Sequence, residues 1–567
     1  MNNFLRKEII GETDKFKGPY GKRFITYADY TASGRGVRFI ERCMEKLLAS
    51  YGNTHTENSY VGRETTTLYK EAKNKIKIEV NARAEDIIIA TGNGSTGAIN
   101  HLMKLLGLTR NYKYEKALKT FIDEHSEHQH LIHTVEAFEN TYKPVVFISS
   151  YEHHSNELPF REGFAEIVKI GLTSEGHFDL NDLQNKVNLP QYASRRKIGS
   201  FSAASNVTGI LTPCYKIAKI MHEANGLVFF DFATAGPYVE IDMQKDEQCY
   251  FDGIYLSMHK FLGGPGACGL LIINGSIYDD TQPPSTLGGG IVDYVTHDDH
   301  KYILSPEGRE EAGTPGVIQM IRASLAFELK ALAQADLIKE IEEYYCQLAY
   351  EKLSQMENID LYGPKSSDNR LPIFSFNVKH RDGYLHPSFI CTLLSDLFGI
   401  QARAGCSCAG PYGIKLLAFD EDEVTLYKEA LDAQINIMKP GWVRISLHYS
   451  MPEETVNYIL EAIEFIAKQG HTFLADYEAS CVTGEWRHVS FETEKASINL
   501  VDAIFAAYMP VLKKRIKSLP KAETYRRYIR KAKQLSESKS KDKGKIRTEL
   551  YAKDALPKIA WFYTAKL

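Results

Sequence analysis

The stretch Phe251-Asp-Gly-Ile-Tyr-Leu-Ser-Met-His-Lys260 decides the fold, since it is an apolar run that ends in polar residues just before Gly263-Gly-Pro-Gly266. Short apolar runs bounded by turn residues are typical of buried strands. Gly226-Leu-Val-Phe-Phe-Asp231 and Asp86-Ile-Ile-Ile-Ala90 follow the same pattern. From about residue 20 to 334 such runs alternate with amphipathic helical stretches. This alternation predicts an α/β fold with a mainly parallel sheet covered by helices.

Polar residues stand where these strands end, and open α/β sheets bind their ligands at that edge. The loop Gly92-Asn-Gly-Ser-Thr-Gly97 opens a predicted helix. Its free N–H groups and hydroxyls suit an anion, best of all a phosphate. The same residue types also build ordinary turns and helix caps, so the loop by itself leaves both interpretations open.

Asp231 and Lys260 each end a predicted strand. A partly buried carboxylate needs a cationic or N–H partner, which either a protonated pyridine nitrogen or an arginine in a structural ion pair would supply. A lysine at such a position either has a lowered pKa and forms a Schiff base, or is a solvated surface lysine. Each residue alone leaves both interpretations open.

His153 and His154 follow another strand end, Phe147-Ile-Ser-Ser-Tyr-Glu152. An imidazole there is either a structural residue or a group that stacks on a planar ring and takes part in acid–base work. A phosphate loop, an imidazole, a carboxylate and a lysine, in this chain order, meet the needs of one cofactor. Pyridoxal 5′-phosphate requires a phosphate cradle, a stacking group, an acid opposite its ring nitrogen and a Schiff-base lysine.

Composition sets the broad class of the protein. The chain has 567 residues, of which 44% are apolar and 25% charged, so it can bury a large core and is not globally disordered. It has no uninterrupted apolar run of about 18 residues and no apolar segment at its N-terminus, so we expect neither membrane spanning nor secretion. Its nine unevenly spaced cysteines do not form a disulfide framework and favour a reducing, cytoplasmic location.

Charge is distributed unevenly along the chain. Residues 511–567 carry a net charge of +13 and residues 1–510 a net charge of −17. A basic tail of this kind binds nucleic acid or an acidic partner, or folds back on its own acidic body, which is the interpretation we favour. Ser536 to Lys545 has the composition of a flexible linker, and Ile559-Ala-Trp-Phe-Tyr563 that of an apolar anchor.

Eight segments place the chain beside a known family: Gly94-Ser-Thr-Gly-Ala-Ile-Asn100, Glu152-His-His-Ser-Asn156, Ser205-Asn-Val-Thr-Gly209, Asp231-Phe-Ala-Thr-Ala235, Ser257-Met-His-Lys-Phe-Leu-Gly-Gly-Pro265, Glu311-Ala-Gly-Thr-Pro315, Arg403-Ala-Gly-Cys-Ser-Cys-Ala409 and Val443-Arg-Ile-Ser-Leu447. By these motifs the chain resembles the class V aminotransferase-fold proteins, nearest to the cysteine desulfurase and selenocysteine lyase branch. The resemblance runs from about Tyr27-Ala-Asp-Tyr-Thr-Ala32 to Lys468.

The resemblance implies the fold type I of pyridoxal-phosphate-dependent transferases, with a sheet of the seven-stranded type. We divide the chain into an N-terminal arm (1–19), a large cofactor-binding domain (20–334), a small α+β domain (335–470) and a basic helical extension (471–567) with its flexible segment around 536–545.

The resemblance also implies the site residues. The phosphate ligands are Ser95, Thr96, Ser257 and His259, joined by Thr314 from the other subunit of a homodimer with a shared active site. His153, rather than His154, stacks on the ring, Asn206 binds the ring 3′-oxygen, Asp231 pairs with the pyridinium and Lys260 forms the Schiff base. Arg444, Arg403 and His55 bind the amino-acid substrate.

Cys408 aligns with the nucleophilic cysteine of the branch, so the resemblance implies a lyase that releases alanine and keeps sulfur as a persulfide for a sulfur-acceptor protein. Arg403 is placed to favour the thiolate. The chain departs from the branch at Thr234, at Cys406-Ser407 and by about 20 extra residues between Ala409 and Val443. These departures keep an aminotransferase or epimerase open, with Cys408 not catalytic.

Two further interpretations concern the C-terminal extension and the two neighbouring cysteines. A binding protein that retains the fold would use residues 471–567 to hold a partner, and Tyr525 and Tyr528 beside arginines are a weak signal for nucleic acid. Cys406 and Cys408 together suggest a redox pair or half of a metal site, but no complementary Cys/His pair has ligand-like spacing, so we predict no metal.

Overall fold

The computed structural model describes residues 2–54, 56–125, 130–491, 521–541, 548–551 and 561–565. His55, one of the predicted substrate ligands, lies outside them.

The strands of the described residues are β1 (Lys15–Gly18), β2 (Gly21–Phe24), β3 (Thr26–Tyr27), β4 (Ile87–Thr91), β5 (Val145–Ser149), β6 (Glu166–Ile170), β7 (Lys197–Ser202), β8 (Leu227–Asp231), β9 (Gly253–Ser257), β10 (Gly269–Ile273), β11 (Val292–Val295), β12 (His300–Tyr302), β13 (Ile359–Tyr362), β14 (Ile373–His380), β15 (Gly383–Leu385), β16 (Ile400–Gln401), β17 (Arg403–Gly405), β18 (Trp442–Ser446), β19 (Tyr477–Ala479), β20 (Trp486–His488), β21 (Thr548–Leu550) and β22 (Phe562–Ala565).

The α-helices are α1 (Asn2–Glu8), α2 (Arg38–Leu48), α3 (Tyr60–Glu79), α4 (Gly94–Leu105), α5 (Tyr112–Glu124), α6 (His130–Tyr142), α7 (Leu158–Glu162), α8 (Leu180–Val187), α9 (Cys214–Glu223), α10 (Pro306–Arg309), α11 (Val317–Ala333), α12 (Ala335–Ser354), α13 (Pro387–Leu393), α14 (Gly410–Leu416), α15 (Glu421–Asp432), α16 (Glu453–Gln469) and α17 (Lys521–Lys541). Short 3₁₀ turns lie at His154–Asn156, Pro190–Tyr192, Met258–Lys260, Gly275–Ile277, Asn436–Met438 and Gly470–Asp476, and one π turn lies at Leu394–Phe398.

The central sheet has seven strands in the order β4-β10-β9-β8-β7-β5-β6. Its strand pairs are parallel except those of β10, which runs antiparallel to both β4 and β9. The predicted α/β fold with a mainly parallel, seven-stranded sheet is therefore confirmed. Since β8 and β9 are parallel neighbours, Asp231 and the residues after Ser257 emerge at the same edge of the sheet.

Apolar side chains on the central strands alternate between two cores, one on each face of the sheet. Phe230 and Ile254 belong to the core that includes α9 and α11, whereas Phe229 and Tyr255 belong to the core that includes α4. The strands are buried on both faces, which explains why they are continuous apolar runs rather than alternating ones.

A second sheet has the order β17-β18-β14-β15-β22-β21, with β13 paired to β14. The extension therefore contributes strands as well as a helix: β22 lies parallel to β15 and pairs antiparallel with β21. Phe562 and Tyr563 are buried, as expected of the predicted apolar anchor. The four-part division of the chain stays a prediction.

Helix α17 folds back on the acidic body. Lys521 pairs with Glu12 at 2.6 Å, and Lys539 pairs with Asp476. The predicted flexible linker is wrong for residues 536–541, which form the last turns of α17, because side chains such as Ser536 pack against the body. Residues 542–547 lie outside the described part of the chain.

The two tyrosines of α17 are not available to stack on nucleic acid bases, because both are buried: Tyr525 is 4% exposed and Tyr528 is 3% exposed. Tyr525 stacks on Tyr458 of α16, with ring centroids 4.0 Å apart and planes 9° from parallel. The Tyr528 hydroxyl accepts a hydrogen bond from the Phe24 amide. Among the described residues, no helix has the length and apolar character needed to cross a bilayer.

Replacing Tyr525 by alanine is expected to destabilise the protein by about 3 kcal/mol, because it removes a buried, stacked ring. The exposed neighbour Arg526 serves as the matched control, and its alanine variant should change stability by no more than about 0.5 kcal/mol. Urea unfolding followed by circular dichroism measures both. Equal, small effects would mean that α17 is not docked in solution.

Candidate active site

A cavity of about 210 Å³ lies at the carboxyl edge of the central sheet. The predicted residues that line it are Ser95, Thr96, His153, Asn206, Asp231, Ser257, His259, Lys260, Arg403, Cys408 and Arg444. Two predicted residues are not among the lining: His55 is not described, and Thr314 is exposed, with its hydroxyl 3.4 Å from Asn53 Nδ2. A larger groove of about 840 Å³ between α16 and α17 contains none of the predicted residues.

The N-terminus of α4 forms one end of the cavity. The Ser95 amide donates to Ser257 Oγ at 2.9 Å, and the Ser257 hydroxyl lies 3.1 Å from Ser95 Oγ. Gly94 has φ +58°, and a Cβ on it would lie 2.8 Å from Ser257 Oγ, so glycine is needed for this close approach. The side chain of Asn93 does not cap the helix. The amides of a helix N-terminus beside two hydroxyls make this end suited to an anion.

Asp231, at the end of β8, and Lys260, in the turn after β9, face the cavity from neighbouring strand ends. Asp231 is 5% exposed and accepts a hydrogen bond from the Ala233 amide at 2.9 Å. Burial raises the pKa of Asp231, and the charge of Lys260 counteracts part of that rise. Burial lowers the pKa of Lys260 to about 8; Arg444 and Arg403 lower it further, whereas Asp231 raises it. Near neutral pH, part of Lys260 is therefore an uncharged, nucleophilic amine.

His153 presents a neutral imidazole to the cavity. Its Nδ1 accepts the Ser155 amide at 3.1 Å, which leaves the ring proton on Nε2. Burial, reinforced by the charge of Lys260, lowers the pKa of His153 to about 3. A neutral ring fixed in this way can stack on a planar group without bringing in a charge. His154, which we predicted not to stack, is not among the lining residues.

Arg444 is held from two sides. Its guanidinium lies 2.8 Å from Asp29 Oδ1 and donates to the Asn206 carbonyl at 3.0 Å, while its Nε has no partner within the described part of the chain. Arg403 is opposite it in the β17–β18 register and is exposed. Two guanidiniums at one wall are suited to bind a carboxylate.

Asp29 is a residue of the candidate site that the sequence analysis did not single out. It belongs to the matched segment Tyr27-Ala-Asp-Tyr-Thr-Ala32, but its partner Arg444 lies 415 residues further along the chain. The sequence signal that could have identified Asp29 is an acidic residue directly after a short apolar run. Ser155 was also missed; its hydroxyl lies 2.7 Å from that of Thr96 and 3.0 Å from His153 Nδ1.

Cys408 is exposed and lines the same cavity as Lys260. Both Ser407 and Cys408 have left-handed backbone, with φ of 54° and 56°. The Ser407 carbonyl accepts a hydrogen bond from Asn206 Nδ2 at 2.7 Å, so the amide predicted to bind the cofactor also holds this loop. Cys406 is half-buried and is not among the lining residues. Within the described ranges, no three His, Cys, Asp or Glu side chains are grouped to hold a metal ion.

Replacing Asp29 by asparagine is expected to destabilise the protein by about 3 kcal/mol, because it leaves the guanidinium of Arg444, which is only 3% exposed, without its counter-charge. Asp293 is the control: it pairs with Lys301 at 3.6 Å, and both side chains are about half exposed. Its asparagine variant should change stability by no more than about 0.5 kcal/mol in the same urea titration. Equal stabilities of the Asp29 and Asp293 variants would contradict a stabilising role of the Asp29–Arg444 pair.

The family model described as aminotransferase class-V matches residues 26–142 and 129–459. A probable cysteine desulfurase of Streptomyces coelicolor is 25% identical over 424 residues, which cover 74% of this chain and 91% of the relative. A probable cysteine desulfurase of Staphylococcus aureus is 26% identical over 428 residues, covering 74% and 92%.

Solved structures show the same fold. A cysteine desulfurase from Thermococcus onnurineus has a TM-score of 0.64 and 22% identity, covering 82% of this chain and 98% of its own. A cysteine desulfurase from Escherichia coli has a TM-score of 0.60 and 21% identity, with the same coverage. Together with the family match, which extends over most of the chain, these findings establish that the protein belongs to the class V aminotransferase family.

Proposed function

We propose that this protein is a pyridoxal-5′-phosphate-dependent enzyme that cleaves the C–S bond of an amino acid, most simply L-cysteine, giving alanine and a persulfide on Cys408. The observation that carries the proposal is that one cavity joins a nucleophilic lysine, Lys260, to an exposed thiol, Cys408. The probable cysteine desulfurases that resemble the chain over most of their length point to the same reaction.

The residues around the cavity fit this cofactor. Gly94 lets Ser257 approach the N-terminus of α4, where a side chain on residue 94 would collide with it, so the Ser257 and Ser95 hydroxyls lie together at an end suited to a phosphate. The buried carboxylate of Asp231 has a raised pKa, so a cationic ring nitrogen would stabilise it. The neutral imidazole of His153 could stack on the cofactor ring, and the amine of Lys260 could react with the cofactor's carbonyl group. When bound, the cofactor supplies an electron sink that acidifies the Cα–H bond of the substrate.

The protein's own residues then have distinct tasks. Arg444 and Arg403 orient the substrate carboxylate. Lys260 accepts the Cα proton and returns it, which its pKa of about 8 allows near neutral pH. The thiolate of Cys408 attacks the substrate sulfur: an S–S bond forms, the C–S bond breaks, and its electron pair stays with the carbon skeleton, which takes up a proton and becomes alanine.

We further propose a homodimer in which Thr314 contributes to the phosphate site of the partner. Thr314 is exposed and lies outside the cavity of its own chain, which is what such a role requires. A sulfur-acceptor protein would take the persulfide from the exposed Cys408. All nine cysteines are free, which supports the proposed reducing, cytoplasmic location.

Incubating the purified protein with L-cysteine is expected to release alanine and, with a reductant, sulfide. Cys408→Ala should lower alanine formation by at least roughly 100-fold, because it removes the attacking group. Cys406→Ala is the matched control, since Cys406 lies two residues away and outside the cavity lining; its rate should stay within about threefold of the native rate. Accumulation of pyridoxamine phosphate without alanine would instead identify an aminotransferase in which Cys408 is not catalytic.

A further inference from the structure

The loop that carries Cys408 holds two consecutive non-glycine residues, Ser407 and Cys408, in left-handed backbone. A non-glycine residue in this conformation is strained, and it persists only where its surroundings enforce the conformation. On the N-terminal side, Asn206 Nδ2 donates to the Ser407 carbonyl, and Trp442 Nε1 donates to Ser407 Oγ at 3.3 Å. These contacts restrain Ser407. The chain after Cys408 is restrained by other groups.

His154 holds the chain at Cys408 and beyond it. Its backbone N–H donates to the Cys408 carbonyl at 2.8 Å, and its ring Nε2 accepts the Gly410 amide at 2.9 Å. Gly410 is the first residue of α14, so its amide is one of the N–H groups that a helix leaves unpaired. A Cβ on Gly410 would lie 3.2 Å from His154 Nε2, so the ring and this backbone are in close contact.

The ring of His154 must be neutral to accept this hydrogen bond. Burial lowers its pKa; Arg161 and Lys439 lower it further, and Glu157 raises it. The preceding residue, His153, faces the cofactor cavity, and the two ring centroids are 6.3 Å apart. One turn of backbone therefore fixes both the imidazole that faces the cavity and the loop that carries the thiol.

We propose that His154 is a positioning residue: by accepting the Gly410 amide it fixes the Cys408 loop relative to the cavity, so that the thiol meets the substrate sulfur. The kinetic part of this proposal rests on the proposed function, whereas the loop restraint itself does not. His154 is not among the residues that line the cavity, so we expect its loss to affect the step that uses the thiol and not the steps at Lys260.

The test compares His154→Leu, which removes the acceptor, with His154→Gln, whose amide oxygen occupies nearly the same position as Nε2. In the resting holoenzyme, hydrogen exchange of the peptide spanning 403–412 should accelerate about tenfold in His154→Leu and stay near the native rate in His154→Gln. This measurement uses no substrate, so it tests the loop restraint even if the protein forms no alanine from cysteine.

Turnover gives the second measurement. In His154→Leu, kcat for alanine formation should fall about tenfold with KM within about twofold, and His154→Gln should restore at least half of the native kcat. Deuterium exchange at Cα of L-alanine, which needs Lys260 but not Cys408, should be unchanged in both variants. His154→Asn, too short to reach the Gly410 amide, replaces His154→Leu should the latter not fold.

Three results would overturn the proposal. They are unchanged exchange of the 403–412 peptide in the leucine variant, equal losses in the leucine and glutamine variants, and a loss of Cα exchange that parallels the loss of alanine formation. The last result would show general damage to the site rather than misplacement of one loop. Absence of alanine formation in the native protein would refute the proposed function and leave the exchange measurement to decide on the restraint.

Discussion

The desolvation of one amine, Lys260, is the constraint on which the rest of the site depends. Parallel pairing of β8 with β9 brings Asp231 and Lys260 to one edge of the sheet, and the apolar strands behind them exclude water. Burial makes the ammonium form of Lys260 costly, the guanidinium of Arg444 adds to that cost, and Asp231 offsets part of it. The balance leaves an amine that is both available as a nucleophile near neutral pH and able to carry a proton.

A short series of polar contacts links the second sheet to the edge of the central sheet. Arg444 on β18 bonds to Asp29 near the N-terminus and to the carbonyl of Asn206, which follows β7. Asn206 in turn holds Ser407, next to the thiol of Cys408. Each contact joins segments distant in sequence, so the wall that carries Arg444 and the loop that carries Cys408 share supports. A change at one of these residues is therefore expected to affect the others.

The sequence predicted the features that depend on residues close together in the chain. Strand ends such as Asp231 and Lys260 follow from apolar runs a few residues long, and the glycine-rich start of α4 follows from its spacing. Asp29 was missed because its role exists only in contact with Arg444, which the fold supplies. Strand β22 was missed as a strand because four residues carry little signal and its partner β15 lies far earlier in the chain.

The C-terminal helix shows the same limit. Ser536 to Lys541 has the composition of a linker, yet it forms the last turns of α17, where the Ser536 hydroxyl donates to Gln469 of α16. Local composition therefore gave the wrong structure where tertiary contacts decide. The choice of His153 over His154 rested on resemblance, and the geometry gives each ring a separate set of contacts: one faces the cavity, the other the Gly410 amide.

The pH dependence of imine formation at Lys260 tests the central claim most directly. Protein stripped of cofactor is mixed with pyridoxal 5′-phosphate, imine absorbance is followed, and the product is trapped with borohydride and mapped. Since only the neutral amine reacts, the rate should rise with pH to about 8 and then level off, with the label on Lys260 and none in Lys260→Arg. A rate that keeps rising towards 10.5, the pKa of an ordinary lysine, or a label elsewhere, would contradict the account.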